Sequence, residues 1–382
     1  MRHQNSVFHQ VLKQVPWSIF DAAVEGHGSD RGVRTLSTKS QFIALIYSKF
    51  AGIESLRDVE AGLASHEKRL YHLGAQPPRR STLSDANRKR PSGVFTSVLE
   101  SMLKLAHRGL RRHVSEATFL IDSTSVRLTS LSADWARFSK GVYGAKAHVI
   151  YDPDADRPTY SVVTAANVND ISVAKTMPIV PGATYVFDLG YYDYGWWAGL
   201  ADVGCRIVTR FKSNTPLTLC EELPVPEGGA ILSDRIGHLP ARQAKNRRNP
   251  FEDPVREIRV VTETNKTLRI LTNDLDGEAQ EIADLYKRRW AIELFFRWVK
   301  QTLRINKFLG TSENAVRIQI AVSLIAFLLL RMTQSALKIP LGPLAFARLV
   351  RANLMHRRRI DRLLVSEPKE PVNPGQMVLQ WS

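Results

Sequence analysis

The sequence predicts an α/β protein with a core of alternating strands and helices, preceded by an all-helical region and interrupted by a strand-rich insertion. Three observations carry this expectation. Apolar residues recur at helical spacing, with little strand signal, up to about residue 115. Apolar strand-like runs then alternate with helical segments from 116 to 210. Strand runs crowd together between 211 and 275 before helices resume over 276 to 340, and a basic tail follows from 341 to 382. A chain of 382 residues exceeds what one hydrophobic core usually organises, so two or three domains are expected.

In the first region the helical spacing shows in Phe8, Val11, Leu12 and Val15, in Phe42, Ile43, Leu45 and Ile46, and in Val94, Phe95, Val98, Leu99 and Leu103. Between these helices, Pro77 to Arg90 is basic and rich in hydroxyls. Its Ser/Asp helix-start signal beside arginines suits phosphate contact, and a solvated basic loop is equally compatible with it. Three strands are expected next, over 117–124, 146–151 and 159–164, and their closeness in sequence suggests an antiparallel meander. A short helix over 170–176, a strand over 183–188, a helix through Trp196 and Leu200, and a strand over 205–210 continue the alternation. The insertion contributes strand runs at Ile231, 255–261 and 268–271 around a basic segment, 242–248. Helices over 278–300 and 314–337 follow, and then a Pro-rich, basic end.

The chain carries 53 Lys+Arg against 37 Asp+Glu, a net charge of +16. A pI near 10 favours a polyanionic partner, with nucleic acid the commonest candidate. Two cysteines, Cys205 and Cys220, form neither a zinc pattern nor a disulfide framework, so a reducing cytoplasm is expected. No signal peptide is visible, and the longest apolar run, 320–330, is too short for a bilayer, which needs ~20 residues, so no membrane partner is expected.

Two apolar strand runs end in acids, Asp122 before Ser-Thr and Asp188 before Leu-Gly. An α/β sheet presents functional side chains at strand ends, and if these strands are neighbours the carboxylates converge. Converging carboxylates repel, so an ionised cluster needs a cation, and an all-oxygen donor set favours Mg²⁺ or Mn²⁺. A third acid is offered by Glu293. On a helix Tyr286, Arg289, Glu293, Arg297 and Lys300 fall within an arc of roughly 80°. Trp290, Leu294 and Trp298 flank that stripe on one side and Leu285, Ile292, Phe295, Phe296 and Val299 on the other, so the helix is expected to be largely buried, with its tryptophans packed. An ion-pair ladder from Glu293 to Arg289 and Arg297 would by itself satisfy the stripe. Two ions held by such acids could activate water or a 3′-hydroxyl at a phosphodiester. Asp193, five residues past Asp188, competes with it; Lys146 and His148 share a strand face; and Asp170 is explained as a helix cap.

The spacing Tyr286, Arg289, Glu293, Lys300 resembles the Tyr-x2-Arg-x3-Glu-x6-Lys signature of the DDE transposases of insertion-sequence family four. Residues 119–124 and 186–194 are similar to that family's first-acid and second-acid neighbourhoods, and residues 81–87 to part of its DNA-end-binding region. The resemblance implies a ribonuclease-H-like core with an inserted β domain between Asp188 and Glu293. It also implies Asp122, Asp188 and Glu293 as catalytic ligands of two Mg²⁺ or Mn²⁺ ions. Tyr286, Arg289 and Lys300 would hold DNA phosphates; helical geometry alone adds Arg297. It further implies cleavage at terminal inverted repeats, joining of 3′ ends to target DNA, and action as a homodimer on double-stranded DNA. A nuclease of the same fold without strand transfer, or a decayed DNA-binding protein, are the alternative expectations.

Overall fold

Three serines start helices in the first hundred residues: the side chains of Ser6, Ser37 and Ser55 each accept a hydrogen bond from the backbone N–H three residues on. The computed structural model describes residues 5–107, 117–225, 228–242, 247–262, 264–303 and 308–363. Helices α1 (Val7–Leu12), α2 (Trp17–Gly26), α3 (Thr38–Ala51), α4 (Leu56–Ala64), α5 (Glu67–Leu70), α6 (Arg80–Lys89) and α7 (Gly93–His107) make up the N-terminal region. Gly52 closes α3 at φ 72°, in the left-handed region that glycine occupies without strain. On α6, Arg80, Arg88 and Lys89 are exposed while Leu83 and Asn87 are buried. The Asn87 side chain accepts from Gln41, whose own oxygen accepts from Arg90.

One sheet carries the rest. Its strands are β1 (Thr118–Leu128), β2 (Arg137–Ser139), β3 (Val142–Asp152), β4 (Arg157–Ala165), β5 (Thr184–Phe187), β6 (Arg206–Arg210), β7 (Thr218–Leu223), β8 (Ile231–His238), β9 (Val255–Val261) and β10 (Thr267–Thr272). The strand order is β2-β3-β1-β5-β6-β10-β9-β8-β7, with β4 also paired to β3. Strands β1, β3 and β4 form the expected antiparallel meander, while β1, β5 and β6 run parallel. The strand-rich insertion is continuous with the main sheet: β10 pairs antiparallel with β6, and β9, β8 and β7 follow outward. Of the basic segment 242–248, residues 243–246 lie outside the described residues, and Arg242 and Arg248 pair across it.

Strand alternation divides the core into two layers. Leu120, Val126, Val149, Tyr151, Val186 and Val208 face α10 (Ala279–Arg288), α11 (Trp290–Thr302), α12 (Glu313–Ala336) and the N-terminal helices. Phe119, Ile121, Ile150, Tyr185, Phe187 and Ile207 face α8 (Asp170–Ala174) and α9 (Tyr194–Asp202). The apolar segment around 320–330 extends into a 24-residue helix, α12, long and apolar enough to cross a membrane by length and composition, yet 83% of its most apolar window is buried inside the protein. It is the central strut, packing against α3, α6, α7, α11, α13 (Pro343–Asn353) and β4.

One expectation needs revision here. The helix over 278–300 is interrupted at Arg289, where the chain tightens: the Arg289 N–H donates to the Tyr286 carbonyl and the Ile292 N–H to the Arg289 carbonyl, both three residues apart. The basic end from residue 341 begins with a packed helix. Phe346, Val350 and Leu354, four residues apart, bury one face of α13 (Pro343–Asn353), and the Leu354 and His356 carbonyls accept from the first turn of α1. Residues 364–382 lie outside the described residues.

Candidate active site

The parallel register of β1 and β5 determines where the two aspartates meet. Ile121 pairs with Phe187, the last pair of that ladder, and one step on sets Asp122 beside Asp188 on backbones about 4.8 Å apart. Asp188 comes directly after its strand, which ends at Phe187, and caps the turn that follows. Asp122 does not: β1 runs on to Leu128, because Ser123 to Leu128 keep pairing with β3 after the β5 ladder has ended. The Asp122 carboxylate accepts from the Ser123 N–H at 2.7 Å, and that of Asp188 from the Gly190 N–H at 2.8 Å. Helix α11 packs on β1, presenting Glu293 on the side of the sheet that Asp122 faces.

Arg289 links these groups. Its guanidinium donates to Glu293 at 2.6 Å and stands 3.7 Å from Asp122, and it lies 5.8 Å from the Tyr286 ring centroid. Burial lowers its affinity for a proton, but Tyr286, Glu293 and Asp122 together outweigh this and hold it above its ordinary value. Lys300 is half-buried, and burial lowers its pKa against the opposing pull of Asp122. Tyr286 is buried, and burial raises its hydroxyl pKa. Arg297 is exposed and lies 5.8 Å over the Trp290 ring, outside the ion-pair ladder that is one reading of the stripe.

The packing of α11 is one-sided. Ile292, Phe295, Phe296 and Val299 are buried, whereas Trp290 is 51% and Leu294 47% exposed, so the flank expected to be packed is open. Helical period sorts residues onto faces, but whether a face is covered depends on its neighbours, and here the cover ends with Trp298 edge-on to Phe327 of α12. Trp196 and Trp197 are buried as packing residues.

Burial above all, and then the neighbouring Asp188 and Glu293 charges, push the Asp122 carboxyl up from 3.8 to about 7, against the Ser123 N–H and Arg289. Between pH ~4 and ~7 the folded chain keeps a proton that the unfolded chain has lost, so stability contributed by this group falls as pH rises through that window. In EDTA, Asp122→Asn is expected to remove that slope and to raise Tm above pH 7.5 by a few degrees, about 1–3 kcal/mol after allowing for partial exposure. Melting curves from pH 4 to 8 test it; an unchanged slope would show that Asp122 is ionised throughout.

Three further residues occupy places the sequence did not suggest. Asp193 caps α9 by accepting from the Trp196 N–H at 2.8 Å, and pairs with Lys175 at 2.9 Å, which gives it a structural role of its own. Asn169, not Asp170, caps α8 with its side chain. Asp170 instead accepts from Lys146 and Ser123, both at 2.9 Å, with His148 at 3.5 Å, on the face of the sheet away from Asp122. His148 is fully buried, and burial lowers its pKa to about 4, Asp170 opposing and Lys146 assisting, so its ring is neutral at ordinary pH. The signal for this cluster was present as Lys146 and His148 alternating on one strand face.

Among the described residues no three His, Cys, Asp or Glu side chains are gathered tightly enough to hold a metal ion; Arg289 lies between Asp122 and Glu293 instead. The donor chemistry nonetheless fits a hard divalent cation. Three carboxylates offer oxygen alone, and a largely buried Asp122 resists ionisation unless positive charge is near.

Residues 115–329 match the family described as Transposase DDE domain, and residues 3–76 match the Domain of unknown function (DUF4372). A putative transposase, y4zB, of Sinorhizobium fredii is 40% identical over 300 residues, covering 78% of this chain and 83% of the relative. The probable transposase for insertion sequence element IS5377 of Geobacillus stearothermophilus is 27% identical over 256 residues, 66% of each chain. The putative transposase for element IS4SA of Synechocystis is 26% identical over 263 residues, 66% of this chain and 71% of the relative.

Proposed function

The chain belongs to the DDE transposases of insertion-sequence elements, and from that membership we propose that it binds the terminal inverted repeats of its own element, cuts there, and joins the 3′ ends to target DNA. The observation that carries this reading is the register that brings Asp122 and Asp188 side by side under the helix bearing Glu293. Asp122, Asp188 and Glu293 would hold two divalent ions, Mg²⁺ or Mn²⁺. Metal bound there supplies a nucleophile at neutral pH and stabilises charge on the leaving oxygen.

The chain's own residues do the rest. Arg289 is committed to Glu293 and Asp122, and a DNA phosphate is a second partner for the same fork of donors. Its transfer to phosphate releases Glu293 from its ion pair. Lys300, half-buried near Asp122, adds a point charge on the phosphate side, and exposed Arg297 widens the contact. Tyr286, largely buried, has only its hydroxyl to offer a phosphate. The net charge of +16 supplies the long-range attraction to double-stranded DNA. The active form is a homodimer on two DNA ends, working in the cytoplasm.

Purified full-length chain is expected to convert DNA carrying the element's ends, mixed with target DNA, into joined products with Mg²⁺ and to give none with EDTA. Pre-cleaved ends separate the steps. Joining of pre-cleaved ends supports transposition, whereas cleavage with no joined product under any condition would reduce the protein to a nuclease.

A further inference from the structure

The residue after Asp122 points the other way. Ser123 faces the opposite side of the sheet, where its hydroxyl donates to Asp170 at 2.9 Å. Lys146 of β3 donates to the same carboxylate oxygen at 2.9 Å and to the Val168 carbonyl at 2.9 Å. His148 completes the surroundings: its Nδ1 is 3.5 Å from Asp170, and its Nε2 is paired with Thr164 at 2.8 Å. Because Asn169 does the capping, the Asp170 carboxylate is not spent on its own helix. Its other oxygen reaches towards the second aspartate. A Cβ added to Gly190 would lie 3.0 Å from Asp188 Oδ1 and 3.7 Å from Asp170 Oδ2, so both acids close over one glycine. Asp170 therefore bonds to β1 and β3 and lies beside the turn after β5, so it stands against both pieces of chain that carry Asp122 and Asp188.

We propose that Asp170, held by Lys146 and Ser123, is a positioning residue that fixes the two site aspartates from beneath the sheet. This rests on the assignment of Asp122 and Asp188 as metal-holding acids. Lys146 compensates the Asp170 charge, so the group acts as an ion pair and bears on the reaction through β1 and the Asp188 turn. It touches neither DNA nor metal.

The test uses full-length chain on DNA bearing the element's ends, with single-turnover cleavage, DNA affinity, Mn²⁺ titration of the DNA complex, and Tm all measured. Asp170→Asn and Lys146→Met are each expected to slow cleavage about 10- to 100-fold, the displacement cost of misplaced groups, with DNA and Mn²⁺ affinities within about threefold of wild type. The double variant is expected to be no slower than the worse single, since both disturb one pair. Ser123→Ala keeps the ion pair and the fold, and is expected to slow cleavage several-fold, so it remains informative if Asp170→Asn does not fold. Abolished Mn²⁺ binding in Asp170→Asn with normal binding in Lys146→Met would overturn the proposal by making Asp170 a ligand, and so would wild-type rates in all three singles or fully additive losses in the double. Asp122→Asn is the separate control: if it cuts at the wild-type rate, the assignment of the site itself fails.

Discussion

Asp122→Asn, Asp188→Asn and Glu293→Gln are each expected to reduce Mg²⁺-dependent cleavage of element-end DNA by about 10³-fold or more, the several kcal/mol that a correctly held metal contributes, with DNA affinity little changed. The amides are chosen because the structure keeps their hydrogen bonds. An amide oxygen at 122 still accepts from the Ser123 N–H, one at 188 from the Gly190 N–H, and one at 293 from Arg289. Packing is preserved and only charge is lost, so a dead variant that melts no lower than wild type reports on chemistry. Asp193→Asn is the matched control. Asparagine is an equally good N-cap, so α9 keeps its start and cleavage is expected to stay within about threefold of wild type. The outcome that would sink the assignment is the reverse pattern, an active Asp188→Asn and an inactive Asp193→Asn; measuring cleavage of all four at saturating DNA decides it.

What was legible in the chain was what local pattern determines. The meander of β1, β3 and β4 and the runs ending at Asp122 and Asp188 stand out because apolar residues concentrate in short segments bounded by turn chemistry. What was not legible depends on partners far away in sequence. Asp170 meets Ser123 across 47 positions, and nothing local to either residue announces it. The open flank of α11 is a property of what fails to cover Trp290 and Leu294. Likewise β10 is indistinguishable from a strand of a separate module until its edge is seen paired with β6.

The polar stripe on α11 admitted two readings, an internal ion-pair ladder or a set of groups aimed at a ligand, and the structure contains part of each. Arg289 does pair with Glu293 four residues on, but it also approaches Asp122 from another layer of the fold, which a helix-surface ladder would not require. Arg297 leaves the ladder altogether for the face of Trp290. A cation shared between two acids of different elements is held by the tertiary arrangement, and that ties the chemistry of Glu293 to how accurately α10 and α11 are placed.

That placement leads to a second large effect, on stability. Asp234→Ala is expected to cost about 3–5 kcal/mol, read as a drop in Tm of several degrees, because it strands a buried guanidinium. Arg256 of β9 grips Asp234 of β8 with two hydrogen bonds, 2.8 and 2.6 Å, and both side chains are at most 5% exposed. Its remaining nitrogen donates to the Leu275 carbonyl at 3.2 Å and to that of Gly277 at 2.5 Å, in the loop that leads into α10. The Asp234 hydrogen bonds hold Arg256 above its ordinary pKa despite burial, and a guanidinium stays protonated at working pH even without that partner, so the variant cannot escape the cost by losing the proton. Replacing both partners, as Asp234→Leu with Arg256→Met, is expected to recover much of the stability, since a buried pair exchanged for apolar groups is often nearly neutral. Recovery should stop short of wild type, because the two loop carbonyls then lose their donor. If instead Asp234→Ala alone melts within a degree of wild type, the pair is not desolvated in solution, and the strands added beyond β6 do not brace the helices that carry Glu293.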